Sequence, residues 1–510
     1  MTPTRAACFL LSLLSFNAAC GCGNKDQNGF ANPASSANGS DAGSSADGGL
    51  PSLGGGDGGG SPVGSSGGSS GCTNLQCQVH SCPGGTAGAQ ITGQVFDPAG
   101  RDPLYNVVAY IPNSSGGLLA PMPLGVGAGS CSCDALFSGE PMAVALTDTT
   151  GGFTITGAPD GADIPLVVQI GKWRKEITLP SVAPCATTNA GKITLPKNLS
   201  DGAYASLPNI AVSTGSADTL ECMLTRIGVE ESLFTGSLSG PGIHVFQGSG
   251  GSAVGGGSPS SPASLWDNLP DLMRYDIVML SCEGAPTTGV DGTTAGYLAS
   301  YLDSGGRVFA EHYHYAFFVD DDVGYPQFTN VANWVNTGDN GNDSPYNSDI
   351  TGVIEATLPG GQSFPEGAAL KAWLGTVGAL TNGEIVIPAS NARDDATLVA
   401  GNLATAWVQT DPSIAPASTQ YLSWDMPLFP PKNDAGVPQY CGRTVFSDMH
   451  VAGSANDYGG NPPGVVPTGC DSTAELSPDE KAIEFILFDL SSCLVPIGTI
   501  PQQPGSGVAQ

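Results

Sequence analysis

The sequence predicts a multidomain β + α/β protein, in which an antiparallel β-sandwich precedes a parallel-sheet α/β domain that carries a long insertion. Three observations support this fold class. Short apolar or alternating runs fill 91–179 with turn residues between them and no helical periodicity, which is typical of a sandwich. From 207 onward, short apolar runs alternate with segments of helical spacing, which indicates a parallel sheet covered by helices. A stretch over 319–440 interrupts this alternation, which resumes at 442–447.

Composition limits the function classes. The chain has 510 residues, with 46 acidic against 16 basic side chains and a formal net charge of −30. A surface this acidic does not follow a phosphate backbone, so the sequence predicts no nucleic-acid partner. Charged residues make up only 12% of the chain, while Gly numbers 73 and Cys 14. These values indicate an extracytoplasmic protein in an oxidising compartment, where most cysteines are paired.

The N-terminus predicts a signal peptide over 1–20. The apolar run at 6–16 is too short to span a bilayer, and small residues precede Cys20. This junction resembles the lipobox of bacterial lipoproteins, which implies lipidation of Cys20, with Cys22 as a second candidate. Acyl chains there would make the membrane a partner without a spanning helix. The resulting expectation is an outer-membrane lipoprotein of the bacterial cell envelope, facing either side, with plain secretion as the alternative.

Two segments are predicted to be disordered. Residues 21–71 consist almost entirely of Gly, Ser, Asp, Asn and Ala, so they cannot bury enough apolar surface to fold and would serve as a tether. The short polar tail over 496–510 has the same character.

Residues 72–198 are predicted to form a disulfide-stapled β-sandwich. Strands are expected over 91–96, 107–111, 144–147, 153–156, 164–170 and 176–179. Six cysteines predict three disulfides within this domain. They are Cys72, Cys77, Cys82, Cys131, Cys133 and Cys185. His80 lies among the first three, so a zinc site is the alternative, although no C-x-x-C pair is present.

The motifs ITGQVF, NVVAYIP and TDTTGGFTITGAP resemble the carboxypeptidase regulatory-like (transthyretin-like) domain over 91–195. The resemblance implies a structural or ligand-presenting module without peptidase chemistry. Lys172, Arg174 and Lys175 flank Trp173. This cluster could grip an anionic glycan, or it could simply be the solvent face of a strand.

Residues 206–495 are predicted to be the α/β domain. The apolar run at 277–280, the helical segment at 295–302 and the run at 307–310 indicate one right-handed parallel crossover unit. Ligands of such sheets gather beyond the carboxyl ends of the strands. Further strands are expected at 210–213, 243–246 and 442–447, and helices at 217–227 and 477–490.

The motifs IAVSTG, YDIVMLSCEG, YLDSGGRVFAEHYH and GRTVFSDMHV resemble the trehalose-utilisation (ThuA-like) family of the class I glutamine amidotransferase-like fold. The resemblance implies a flavodoxin-like parallel sheet with the insertion at about 319–440. His312 and His450 occupy the positions of the family's strand-terminal histidines. ThuA-like proteins are linked to sugar metabolism without one settled shared reaction.

Cys282 is a candidate nucleophile. A thiol needs a base and a depressed pKa, and His450 could act as the base with Glu283 or Asp448 orienting it. An elbow turn requires small residues on both sides; Gly284 meets this requirement, whereas the residue two positions before Cys282 is leucine. The alternative is a disulfide-bonded or inert buried cysteine. The other disulfide candidates in this domain are Cys222, Cys441, Cys470 and Cys493.

Zinc and calcium are the candidate cofactors, and neither is certain. His312 and His314 would share one face of an extended strand, and with His450 they could supply three nitrogen ligands beside Glu311. The alternative is a set of hydrogen-bonded histidines lining a cleft. Alternating Asp and Asn oxygens in the insertion resemble part of a calcium loop, or form an ordinary turn. These residues are Asp339, Asn340, Asn342 and Asp343.

Three classes of function compete. The first is a binding or structural lipoprotein with a glycan or another cell-envelope ligand. Aromatic residues of the insertion would suit sugar faces, or most of them belong to the core. The second is a cysteine hydrolase or amidase using Cys282 and His450, and the third is a metal enzyme using His312, His314 and His450. The first is favoured because no catalytic set is complete in the sequence. The aromatic residues are Trp334, Tyr346, Trp373, Trp407 and Trp424.

Overall fold

A computed structural model gives the fold of most of the chain after residue 71. The described residues are 72–85, 88–113, 118–127, 130–132, 136–255, 260–319, 326–328, 330–335, 344–434, 436–450, 464–497 and 499. Several predictions fall outside them: the signal peptide, the tether and most of the tail. The individual residues concerned are Cys20, Cys22, Cys133, Asp339, Asn340, Asn342 and Asp343.

The described part is β-rich, with several sheets and few helices, as expected for a multidomain β-rich protein. None of its helices is long and apolar enough to pass through a bilayer.

Eight strands form two facing sheets in the first region. They are β1 (Ala89–Phe96), β2 (Val108–Pro112), β3 (Pro141–Leu146), β4 (Gly152–Ala158), β5 (Gly161–Ile170), β6 (Trp173–Val182), β7 (Thr187–Thr194) and β8 (Ala203–Ser206). One sheet has the order β3-β2-β5-β6-β8 and is antiparallel throughout. The other has the order β4-β1-β7, and its β1–β7 pair is parallel. Side chains of β1 alternate between buried and accessible positions, as the period of two in its sequence requires.

The second region contains the remaining strands and all six helices. They are β9 (Ile210–Thr214), α1 (Leu220–Arg226), β10 (Phe234–Thr235), β11 (Ile243–Gln247), β12 (Ala253–Val254), α2 (Ala263–Trp266), α3 (Leu269–Leu272), β13 (Ile277–Leu280), α4 (Gly292–Asp303), β14 (Arg307–Glu311), β15 (Asn333–Trp334), β16 (Ile350–Ile354), α5 (Pro365–Thr376), β17 (Ile385–Ile387), β18 (Ala396–Thr397), β19 (Thr405–Thr410), β20 (Thr419–Met426), β21 (Gly442–Ser447), β22 (Val465–Val466) and α6 (Pro478–Ser491).

Ten of these strands form the main sheet, in the order β10-β11-β9-β13-β14-β21-β20-β19-β16-β17. Neighbours from β10 to β21 are parallel, and neighbours from β21 to β17 are antiparallel. The four antiparallel strands lie within the predicted insertion. The insertion therefore extends the sheet that it interrupts in sequence.

The two regions share one hydrophobic core, which lies around helix α6. A capping box between Ser477 and Glu480 starts this helix, as its sequence indicates. Phe485 stacks on Tyr105 at 5.8 Å between ring centroids, and Phe488 packs on Trp173 at 5.5 Å. All described residues belong to the compact unit 69–510.

Disulfides also join distant parts of the chain. Cys72 bonds to Cys77, Cys82 to Cys185 and Cys222 to Cys470. The prediction that Cys131 closes a disulfide within the sandwich is wrong, because its sulfur bonds to Cys441, 310 residues away.

The alternative zinc site at His80 is wrong too. The three nearby sulfurs are in disulfides, and the imidazole Nδ1 lies 2.8 Å from Asp160.

The basic cluster around Trp173 is not a glycan surface. Trp173 and Arg174 are 0% and 2% exposed. Lys172 pairs with Asp276, and Lys175 pairs with Asp201. Strand β6 is covered here, so the expectation of a solvent-facing strand fails as well.

Candidate functional site

Three adjacent parallel strands deliver polar side chains to one edge of the main sheet. β13, β14 and β21 are in register, with Leu280 opposite Ala310 and Ala310 opposite Phe446. Their carboxyl ends therefore lie side by side. Cys282, His312 and His450 follow these three ends and are all buried.

The three side chains meet at His312. The Cys282 Sγ lies 3.3 Å from His312 Nδ1, and His450 Nε2 lies 3.1 Å from the same nitrogen. One potential metal-ligand atom from each residue lies within 4.8 Å of the other two. One thiol sulfur and two imidazole nitrogens thus converge on one small volume.

The backbone of His312 explains why the next histidine is excluded. His312 has φ of +34°, an uncommon conformation for a residue with a side chain. Strand β14 ends there, and a 3₁₀ turn follows over His312–Phe317. Alternation between two faces stops when a strand ends, so His312 and His314 do not share a face. His314 stacks beside Phe317 and Trp266 instead, and the predicted ligand set that includes His314 is not assembled.

The predicted insertion completes the site. Asp395 Oδ2 lies 3.1 Å from His312 Nε2, and an Arg393 Nη2 lies 3.5 Å from His450 Nδ1. The Arg393 backbone N–H donates to the Asp448 carbonyl, and the Ala396 N–H donates to the Asp448 carboxylate. These bonds hold the segment before β18 against the end of β21.

Buried carboxyl groups surround the cluster. Burial raises the pKa of Asp448 well above its ordinary value, and the neighbouring Asp395 carboxyl raises it further. The pKa of Glu311 is raised in the same way, first by burial and then by Asp218. Glu311 Oε2 also accepts the Cys282 backbone N–H at 3.1 Å. Two carboxyls in contact cannot both ionise cheaply, because like charges repel strongly away from water.

Cys282 and His450 are held in their neutral forms. Burial raises the pKa of the Cys282 thiol and lowers the pKa of His450 well below its ordinary value. The pKa of His314 falls to about 3 for the same reason. A thiol in this environment is protonated at neutral pH and is a poor nucleophile.

Hydrogen-bond directions also disfavour His312 as a base. The Arg393 guanidinium has only donors, so His450 Nδ1 accepts and His450 Nε2 carries the hydrogen that it donates to His312 Nδ1. The one lone pair on His312 Nδ1 is therefore already occupied. Glu283 does not orient either histidine, because its carboxylate accepts the Ser249 N–H on the outer side of the loop.

The loops after β9 and β13 press against each other beside this cluster. The Ala217 N–H donates to the Cys282 carbonyl at 3.2 Å. A Cβ at Gly215 would lie 1.9 Å from that same oxygen, so only glycine fits. The chain reverses its direction across the sheet between β9 and β13, where open α/β sheets usually bind ligands. Here backbone fills that position.

The aromatic residues of the insertion mostly lie in the core. Trp373, Trp407, Trp424 and Tyr346 are buried, and Trp334 is half-buried. Cores are their commonest place, and these four offer no sugar-binding platform.

The sequence patterns did not identify Asp395 and Arg393 as site residues. They lie in SNARDDA, which has no turn, spacing or periodicity typical of a site. The one available signal is local: an Arg-Asp-Asp run in an apolar surrounding, in a chain with few basic residues.

No protein-family model matches the chain, and no curated protein matches it. Three solved structures share small parts of its path. Two are type II cohesin-X-dockerin complexes from Acetivibrio cellulolyticus, interface mutants at 12% and 11% identity that cover 26% and 30% of this chain and 77% and 78% of theirs, with TM-scores of 0.15 and 0.14. The third is a 9R-lipoxygenase from Cyanothece PCC8801 at 16% identity, covering 21% of this chain and 16% of its own, with a TM-score of 0.12. Similarities this weak identify neither a shared fold nor a shared function.

Proposed function

We propose that this protein is a cell-envelope binding module whose α/β region holds a zinc or copper ion on Cys282, His312 and His450. The observation that carries the proposal is the convergence of one sulfur and two nitrogens within 4.8 Å, all enclosed by protein. Thiolate and imidazole are the ligands that zinc and copper prefer in proteins.

The distances agree with tetrahedral coordination. Zn–S bonds of about 2.3 Å and Zn–N bonds of about 2.0–2.1 Å place the ligand atoms about 3.5 Å and about 3.3 Å apart at tetrahedral angles. The corresponding separations are 3.3 Å for Cys282 Sγ to His312 Nδ1 and 3.1 Å for His312 Nδ1 to His450 Nε2. Small movements of side chains would therefore suffice to admit the ion, and its fourth position would be open.

One residue next to the three candidate ligands would favour a bound metal ion, and another would disfavour it. Asp395 on His312 Nε2 corresponds to the carboxylate that commonly orients a ligating histidine. A bound cation would also deprotonate the thiol that burial otherwise keeps neutral. Arg393 opposes the ion, because a metal on His450 Nε2 moves the imidazole hydrogen to Nδ1, where it faces the guanidinium.

Metal content and affinity of the purified mature chain test the proposal. One zinc or copper ion per chain is expected by elemental analysis, with affinity measured against a chromophoric chelator. Cys282→Ser and His450→Ala should each weaken binding at least 100-fold, whereas Arg393→Ala should strengthen it. His314→Ala is the matched control, since His314 is equally buried but lies outside the cluster. No metal binding at micromolar concentrations, or an equal loss in the control, would overturn the proposal.

A cysteine hydrolase is the second candidate, and one observation favours it. Cys282 and Asp395 lie on opposite nitrogens of His312, at 3.3 and 3.1 Å, which is the order of a thiol–imidazole–carboxylate triad. Alkylation of the metal-free native protein separates the two candidates. A nucleophile reacts with iodoacetamide near neutral pH, whereas the protonated, enclosed thiol described above reacts slowly until the protein unfolds.

The fold and the location belong to the same proposal. The five neighbouring strands β11-β9-β13-β14-β21, when numbered in chain order, have the spatial order 2-1-3-4-5, which supports a flavodoxin-like, amidotransferase-like sheet.

In the envelope the chain would be anchored through a lipid on Cys20. Detergent phase partitioning of wild type and Cys20→Ser tests the anchor, and the variant should move to the aqueous phase. A carbohydrate ligand stays a prediction that glycan-array binding would check.

A further inference from the structure

A cavity opens at the opposite edge of the main sheet, far along the strands from Cys282. About 630 Å³ of space, part of it open solvent at the mouth, lies between its walls. The amino ends of β13 and β14, the end of α6 and the turn between β5 and β6 surround it. Its walls are largely apolar, with Pro208, Ile277 and Leu494 among them.

Arg307 presents a free hydrogen-bonding edge in this cavity. Its Nε donates to the Leu490 carbonyl at the end of α6, and its Nη1 donates to the carbonyls of Gly305 and Cys441. Within the described part of the chain, Nη2 has no hydrogen-bond partner, and no carboxylate bonds to this guanidinium. Burial and the neighbouring Arg443 lower the pKa of Arg307 to about 10, against the opposing attraction of Asp425 and Asp276, so the group remains a cation at neutral pH.

The other charged groups that line the cavity do not neutralise the positive charge of Arg307. Lys172 pairs with Asp276, and these two cancel. Tyr440 also lines the cavity, and among the described residues its hydroxyl has no hydrogen-bond partner. The cavity thus offers two unused donors, one of them charged, inside an apolar wall. A ligand with one carboxylate and a compact apolar body complements this arrangement, because a charged guanidinium N–H donates a short, strong hydrogen bond to a carboxylate oxygen.

We propose that this cavity binds a small organic acid, with its carboxylate on Arg307 Nη2 and the Tyr440 hydroxyl. The site is distinct from the Cys282 cluster, since it lies at the amino rather than the carboxyl ends of the same strands. Recognition here needs no metal ion.

A matched pair of fluorinated probes tests the site by ¹⁹F NMR of the mature protein. The ¹⁹F resonance of 4-fluorobenzoate should broaden when the protein is added and sharpen again when unlabelled benzoate displaces the probe. 4-Fluorobenzyl alcohol, which lacks the charge, should bind at least tenfold more weakly. Tyr440→Phe should weaken 4-fluorobenzoate binding about tenfold, the usual effect of losing a hydrogen bond to a charged group. Ser132→Trp, which places an indole at the exposed mouth, should abolish binding. Arg307→Ala is less informative, because it also frees several buried carbonyls.

Cys282→Ser is the control for the metal proposal and should bind 4-fluorobenzoate like the wild type. Equal binding of acid and alcohol, or unchanged binding in both the Tyr440→Phe and Ser132→Trp variants, would refute the acid site. Failure of the metal proposal leaves this result unaffected.

Discussion

Asp395→Asn separates metal affinity from fold stability at the candidate site. Asp395 lies 3.1 Å from His312 Nε2, and its carboxyl raises the pKa of Asp448. Replacing the carboxylate by an amide removes the negative charge that orients His312 and raises its basicity. Substitutions of this kind weaken metal binding about 10- to 100-fold, which corresponds to about 1.4–2.7 kcal/mol of binding free energy.

The same substitution should leave the metal-free fold intact. The substitution removes one of two mutually repelling buried carboxyls. We therefore expect the unfolding free energy of the metal-free protein to change by less than about 1 kcal/mol.

Chelator competition and urea unfolding of the same preparations measure both quantities. Asp411→Asn is the control, since Asp411 is exposed in a turn and touches only Ser413 there. Metal affinity within threefold of the wild type, or a loss of stability as large as the loss of affinity, would refute the role assigned to Asp395.

Three further predictions concern stability. Burial raises the pKa of Asp97 from 3.8 to about 7. The stability that Asp97 contributes to the folded state is therefore fully present below about pH 4 and is lost as pH rises through 7. The free energy of unfolding falls over this range by at most about 4 kcal/mol. The neighbouring Asp102 carboxyl raises the pKa of Asp97 further, so urea unfolding at pH 5 and 8 should show a smaller difference for Asp102→Asn; an unchanged difference contradicts this. Arg443→Ala should cost about 3–5 kcal/mol, because it leaves two buried carboxylates without their cation; a loss below about 1 kcal/mol in the same assay would show that they do not depend on it. The double substitution Cys131→Ser and Cys441→Ser should lower the free energy of unfolding by about 2–5 kcal/mol. Calorimetry should show a lower Tm with metal content unchanged, and an unchanged Tm would count against the cross-link.

The elements around the site were predictable because local pattern determines them. β13 occupies the range that its apolar run indicated, since strands covered on both faces need unbroken apolar sequence. β21 also occupies its predicted range, although its sequence GRTVFS is partly polar. Parallel strands joined by a short crossover must end at the same edge of a sheet. That rule brings Cys282, His312 and His450 to one edge without any knowledge of their contacts.

The rest depends on long-range packing that sequence patterns do not encode. The Cys131–Cys441 bond spans 310 residues, and nothing local distinguishes Cys131 from its neighbours in the sandwich. Likewise, the turn at His312 has a positive φ without a glycine, so the separation of His314 from the cluster carries no sequence signal.

The insertion and the filled crevice together explain the size of the proposed site. In an open α/β sheet the space between the reversing loops receives a substrate, but here the Cys282 carbonyl accepts a hydrogen bond from Ala217 across that space. The chemistry is thereby displaced by one strand, toward the ends of β14 and β21. There the insertion brings Asp395 and Arg393 over the two histidines, and the three potential ligand atoms lie within 4.8 Å of one another. A domain with the same parallel strands but without these two residues would keep the thiol and imidazoles and lack the carboxylate that orients them.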